Sequence, residues 1–160
     1  MDALEFAMRM EKEGEAFYRD LAEKSTTKGF KAIFNMLADD EVKHYDTFMN
    51  LKSKNSPLGQ TQILKEAKTI FAKMIADDSI FNQNSSQLHL YQQALENEKK
   101  SREFYLQKAG ESNEEDLKNI LLNIADEEEK HYFLIHNLVE LLLRPQTWVE
   151  NGEFVHLEEY

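Results

Sequence analysis

The sequence predicts an all-α protein, a four-helix bundle with one long crossover. Three observations predict it. Apolar residues recur at helical spacing along most of the chain. The 160 residues hold only two Pro and five Gly, so long uninterrupted helices are permitted. The chain also matches itself, without a gap, at an offset of 87 residues. The length suits one domain, and an apolar fraction of 41% is enough for a packed core.

The elements follow in order. Apolar residues at 3, 4, 6, 7, 8, 10, 14, 17, 18, 21 and 22 predict a helix over about 2–25, stopped by the Ser25-Thr26-Thr27-Lys28-Gly29 cluster. Phe30, Ile33, Phe34, Leu37, Val42, Tyr45, Phe48 and Leu51 predict a second over about 28–52, ended by Pro57 and Gly59. A shorter amphipathic helix is expected over 61–76, followed by a polar, broken stretch over 77–86. The third long helix should span about 86–109 with Gly110 just past its end. Ser112 or Asn113 should open the fourth, which Arg144-Pro145 stops after Leu143. The expected organisation is a bundle over 1–143, with helix pairs 2–52 and 86–143 and a crossover 53–85 that contains the short helix. In the tail, 144–160, Asn151-Gly152 lies between β-formers, which predicts a small hairpin or flap.

Composition excludes several functions. Thirty Asp and Glu against nineteen Lys and Arg give a formal charge of −11. That field repels nucleic acid and anionic membranes, so neither is an expected partner. No cysteine is present, which excludes disulfides, thiolate metal sites and a cysteine nucleophile in these residues. Any metal must sit on oxygen and imidazole nitrogen. The N-terminus lacks the basic start and apolar run of a signal peptide, and no apolar run approaches a membrane span. A cytoplasmic location is expected.

The repeat carries the chemistry. Over residues 4–51 about 17 positions are identical to their partners 87 residues on, where average composition gives roughly 3. Glu11 meets Glu98, Tyr18 meets Tyr105, and Glu41 and His44 meet Glu128 and His131. In each Glu-x-x-His pair the two side chains share a helix face. Glu11 lies 16 residues before a turn centred near 27 and Glu41 lies 14 after it; Glu98 and Glu128 lie 14 before and 16 after a turn near 112. At 1.5 Å per residue each is roughly 21–24 Å from its turn, so all four carboxylates reach one level. Four Glu in a dry core require cations, and two divalent ions neutralise them.

One Glu from each of two helices and Glu-x-x-His from each of the other two is the ligand set of di-iron and di-manganese bundles. On that template Glu41 and Glu128 bridge, Glu11 and His44 complete one ion, and Glu98 and His131 complete the other. Hard carboxylates with one imidazole per ion favour iron or manganese over copper, while zinc binds without redox chemistry. Tyr18 and Tyr105 each follow the lone Glu by seven residues, two turns along one face. They are either core packing or phenols bonded to a metal carboxylate or to bound peroxide. Asp40 and Glu127 are candidates to orient an imidazole across the helix pairs, with Asp39 and Asp126 as rivals.

Other residues of these types have plainer readings. Glu13, Glu15, Glu23 and Glu129 read as a solvated face, and His89, His136 and His156 as packed or hydrogen-bonded histidines. The third Glu-x-x-His, Glu153/His156, lies outside the repeat. Met8, Met10, Met36, Met49 and Met74 read as core filler.

Glu11-x-x-Gly14-x-x-Phe17-Tyr18, Asp40-Glu41-x-x-His44, Glu98-x-x-Ser101-x-x-Phe104-Tyr105 and Glu127-Glu128-x-x-His131 together resemble the rubrerythrin group of ferritin-like di-iron proteins. The resemblance covers about residues 3–143. It implies a non-haem site of two iron ions that reduces hydrogen peroxide, or dioxygen, in defence against oxidative stress, in a homodimer or larger assembly. Full-length members carry a rubredoxin-like domain with iron on four cysteines. None of these 160 residues is cysteine, so an external electron donor such as a rubredoxin is expected. The group also tends to carry a further Glu one turn after the third-helix ligand; here that place is Ser101, which matches Gly14 in the repeat. Two other function classes stand beside the oxidoreductase: an iron-binding ferroxidase and a metal-binding bundle without turnover.

Overall fold

The computed structural model describes residues 2–53, 61–77 and 85–144. Five helices account for nearly all of them: α1 (Ala3–Lys24), α2 (Lys28–Ser53), α3 (Ile63–Ala76), α4 (Leu88–Glu111) and α5 (Glu115–Leu143), with one 3₁₀ turn over Ser85–Gln87. No strand occurs among the described residues. The expected hairpin around Asn151-Gly152 lies outside them, as do His156 and parts of the crossover.

Local chemistry sets the helix ends. Asp2 caps α1 by accepting the Glu5 N–H at 2.8 Å. Ser25 ends it, its backbone N–H donating to the Ala22 carbonyl and its Oγ donating to the Leu21 carbonyl. Thr27 Oγ1 then accepts the Phe30 N–H and opens α2. At the second turn the structure corrects the expected boundary. Gly110 lies inside α4, which continues through Glu111, and Ser112 is the cap, with an extended backbone. Its Oγ accepts the Glu114 N–H at 3.2 Å, one residue before α5 begins. Nothing in the last turn of α4 requires a glycine conformation, since a Cβ on Gly110 would meet no neighbour.

Short turns make α1 and α2 one closely packed pair and α4 and α5 the other, and α3 of the crossover lies on α2 and α5. Gly29 admits that helix: a Cβ there would stand 2.4 Å from Met74 Sδ. Ala67, Phe71 and Met74 of α3 join Phe30, Phe34, Tyr91, Leu134 and Leu138 in the larger of two apolar clusters. The smaller cluster holds Ala7, Met8, Phe48, Tyr105, Leu121 and Ile124. Along every long helix the two clusters are separated by one stretch of polar residues. On α1 Glu11 lies between Met8 and Tyr18, and on α2 Glu41 and His44 lie between Ala38 and Phe48. On α4 Glu98 lies between Ala94 and Tyr105, and on α5 Glu128 and His131 lie between Ala125 and Leu134.

Some single residues depart from expectation. Met49 is exposed and is not core filler. His89 is exposed and not packed, while His136 is half-buried and stacks on Tyr132. Glu13 and Glu23 are exposed; Glu15 and Glu129 are half-buried beside Arg19 and Arg102. Among the described residues no helix is long and apolar enough to cross a membrane.

Candidate metal centre

The polar layer between the clusters is buried. Glu11, Glu41, His44, Glu98, Glu128 and His131 are all buried, the two histidines completely. Their ligand atoms fall into two groups, each within 4.8 Å: Glu11, Glu41, His44 and Glu128, and Glu41, Glu98, Glu128 and His131. Glu41 and Glu128 belong to both. The structure thus brings together all six residues singled out in the sequence.

Each imidazole is held from behind. His44 Nε2 lies 2.9 Å from Glu127 Oε1, and His131 Nε2 lies 2.8 Å from Asp40 Oδ2. An ionised carboxylate only accepts, so Nε2 carries the proton in both rings. Nδ1 therefore faces the layer. His44 Nδ1 is 3.3 Å from Glu11 and 3.2 Å from Glu128; His131 Nδ1 is 3.4 Å from Glu98 and 3.5 Å from Glu41. The two rings lie nearly parallel, 6.0 Å between centroids. The rivals point elsewhere: Asp39 is exposed and pairs with Arg19 at 2.7 Å, and exposed Asp126 pairs with Lys130. Both supporting bonds cross between helix pairs, from α2 to α5.

The tyrosines cross as well. Tyr105 on α4 donates to Glu11 Oε1 on α1 at 2.5 Å, and Tyr18 on α1 donates to Glu98 on α4. Both phenols are buried, so they pack and bond at once. Burial raises both well above the ordinary phenol value, and the nearby glutamates, Glu98 for Tyr18 and Glu11 for Tyr105, raise them further. They keep their protons.

One contributor escaped the sequence reading. Thr61, in the crossover just before α3, donates to Asp40 Oδ2 at 2.5 Å, the oxygen that also accepts from His131. Burial would raise the Asp40 carboxyl, but His131 and Thr61 outweigh it and hold it below its ordinary value. Thr61 has no counterpart within the repeat, so no pattern marks it.

Five buried side-chain atoms make no hydrogen bond: Glu11 Oε2, His44 Nδ1, Glu98 Oε2, Glu128 Oε1 and His131 Nδ1. All five belong to the two groups. Such atoms cost about 1–3 kcal/mol each when left unpaired in a core. Cations bound there would satisfy them, and an oxygen-rich set with one imidazole per group suits iron or manganese. Without cations the layer must hold protons. Burial raises Glu41 and Glu128, and neighbouring glutamates raise them further. Burial would lower His44 and His131, but the surrounding carboxylates, Glu11 and Glu98 foremost, hold both well above 6.5, the ordinary histidine value. Glu11 and Glu98 stay low despite burial because each faces a charged imidazole.

Gly14 borders the layer. A Cβ there would stand 3.0 Å from Glu41 Oε2, so the missing side chain is what lets α1 lie against that carboxylate.

Comparison with known proteins places these features. The family model described as Rubrerythrin matches residues 2–139, which include every residue of the layer. No curated protein and no solved structure gives a match.

Proposed function

The chain belongs to the rubrerythrin family, and we propose that it is a non-haem di-iron oxidoreductase that reduces hydrogen peroxide with electrons from an outside donor. The observation that carries the proposal is the pair of buried Glu/His groups sharing Glu41 and Glu128, with their unpartnered atoms turned toward each other. One iron would be held by Glu11, Glu41, His44 and Glu128, the other by Glu41, Glu98, Glu128 and His131. Two ferrous ions would supply the two electrons that peroxide reduction requires, together with Lewis acidity.

The chain's own residues prepare that chemistry. Four glutamates bring −4 into the core, which two divalent cations neutralise. Glu127 and Asp40 fix the tautomer of His44 and His131, leaving Nδ1 free to bind. Tyr18 holds a proton at its phenolic oxygen against Glu98, at the edge of the layer. The apolar clusters on both sides bury the carboxylates and lower the local dielectric, which strengthens the charge interactions within. None of these 160 residues is a cysteine, so the electrons would come back to the site from an iron centre outside them, such as that of a rubredoxin. A homodimer in the cytoplasm, acting against oxidative stress, is the setting that accords with the family.

Anaerobic loading with ferrous iron, followed by titration with hydrogen peroxide, tests the proposal. Diferric absorption should develop and saturate at one peroxide per pair of irons. Ferrous protein that consumes no peroxide contradicts it.

A further inference from the structure

The two helices that carry the lone glutamates, α1 and α4, pack closely on α2 and α5 but scarcely on each other. Between them opens a cleft of about 360 Å³. Its floor is Glu41, Glu98 and Glu128 of the polar layer, with Tyr18 beside them. One side of the cleft is apolar, Met10, Phe17 and the bare backbone of Gly14, and Asn97 also lines it. Ser101 also lines it, so the positions one turn beyond Glu11 and Glu98 both carry small residues.

Size and chemistry point past hydrogen peroxide. A water-sized molecule takes about 30 Å³, so the cleft has room for roughly ten, and its volume falls in the usual range of small-molecule sites. A peroxide of two oxygens would leave the apolar wall uncovered. The rim carries Lys100 and Glu13, which select no net charge, and the glutamates of the floor, once neutralised by two divalent ions, add none. The cleft therefore suits a neutral molecule with a polar head and an apolar tail.

We propose that this cleft binds small organic hydroperoxides, ROOH, with the O–O head at the glutamate floor and the R group on Met10 and Phe17. The proposal rests on the peroxide-reducing reading above and names its substrate class. Overall, ROOH takes two protons and two electrons, its O–O bond breaks, and ROH and water leave. The electrons come from two ferrous ions, each oxidised to ferric, and an outside one-electron donor restores them.

The zinc-loaded full chain, which is redox-inert, tests binding apart from turnover. Titrated with 2-phenyl-2-propanol, the alcohol formed from cumene hydroperoxide, it should show saturable NMR shifts at the Met10 methyl, Phe17 and Gly14. Ser101→Leu narrows the cleft and should weaken this binding about tenfold, the scale on which a few methylenes act in a pocket. No saturable shift, or shifts confined to other residues, overturns the proposal. Ferrous protein is then mixed anaerobically with cumene hydroperoxide and, separately, with hydrogen peroxide. Both should oxidise it, and Ser101→Leu should lower the cumene-to-hydrogen-peroxide rate ratio about tenfold. Oxidation by hydrogen peroxide alone, or an unchanged ratio, overturns this inference while the function reading stands. Oxidation by neither overturns both.

Discussion

His131 on α5 donates from Nε2 to Oδ2 of Asp40 on α2 at 2.8 Å. The bond joins the two helix pairs and fixes which ring nitrogen faces the candidate metal layer. Thr61 donates to the same oxygen, while the matching bond, His44 to Glu127, has no second donor among the described residues. Among the described residues the layer is therefore supported unequally on its two sides.

Asp40→Ala removes the acceptor that orients His131. Metal affinity should fall about 10–100-fold, the usual cost of losing such a partner. Thr61→Val should lower it less, since the His131 bond remains. Competition between the protein and a chromophoric chelator for zinc measures both. Unchanged affinity in Asp40→Ala would mean that the ring is oriented by packing alone.

Tyr105→Phe and Tyr18→Phe each leave a buried carboxylate oxygen without its phenolic donor. In the metal-free protein each should cost about 1–3 kcal/mol, read by urea unfolding. A change near zero in either variant would show that the phenol contributes packing only.

The sequence carried the helices and the six layer residues because both depend on period. A repeat at 87 residues and i,i+3 spacing survive any detail of side-chain rotation. The choice between Asp39 and Asp40 did not survive it. One residue is about 100° around a helix, and that rotation decides between a solvent pair with Arg19 and the back of His131. Gly110 misled because a glycine near a helix end reads as a stop, whereas α4 runs two residues past the expected end, to Glu111, and Ser112 caps it. Thr61 was illegible because the crossover has no periodic partner. That each tyrosine bonds the glutamate of the opposite helix pair requires knowing how the pairs face each other, which the spacing within one helix does not contain.

Gly14→Ala separates helix stability from the site. Alanine favours a helix interior by about 1 kcal/mol over glycine. Its Cβ, however, would lie 3.0 Å from Glu41 Oε2, and that carboxylate must shift by a few tenths of an ångström to admit it. The metal-free variant should unfold at equal or higher urea concentration than wild type, while its metal affinity falls. An affinity equal to wild type would show that Glu41 need not hold its place.

The metal-free protein should lose stability as pH rises above about 6.5. His44 and His131 are raised in the fold, so their contribution is complete below the ordinary histidine value of 6.5 and is lost as pH climbs through the folded value. Glu41 and Glu128, also raised, act in the same sense from their ordinary value of 4.5 upward. Glu11, Glu98 and Asp40 are lowered, so theirs is lost in acid. Melting temperature should peak in mildly acid solution. Metal affinity should run the other way and rise with pH, because the metal competes with protons for these atoms. A melting temperature that climbs steadily to pH 9 would contradict this account of the protonated layer.

Iron content tests the central claim most directly. Anaerobically loaded and desalted protein should retain two irons per chain, and both Glu41→Ala and His131→Ala should retain fewer than two. Two irons retained in either variant, or none in the unaltered protein, would contradict the assignment of this Glu/His layer as a di-iron site.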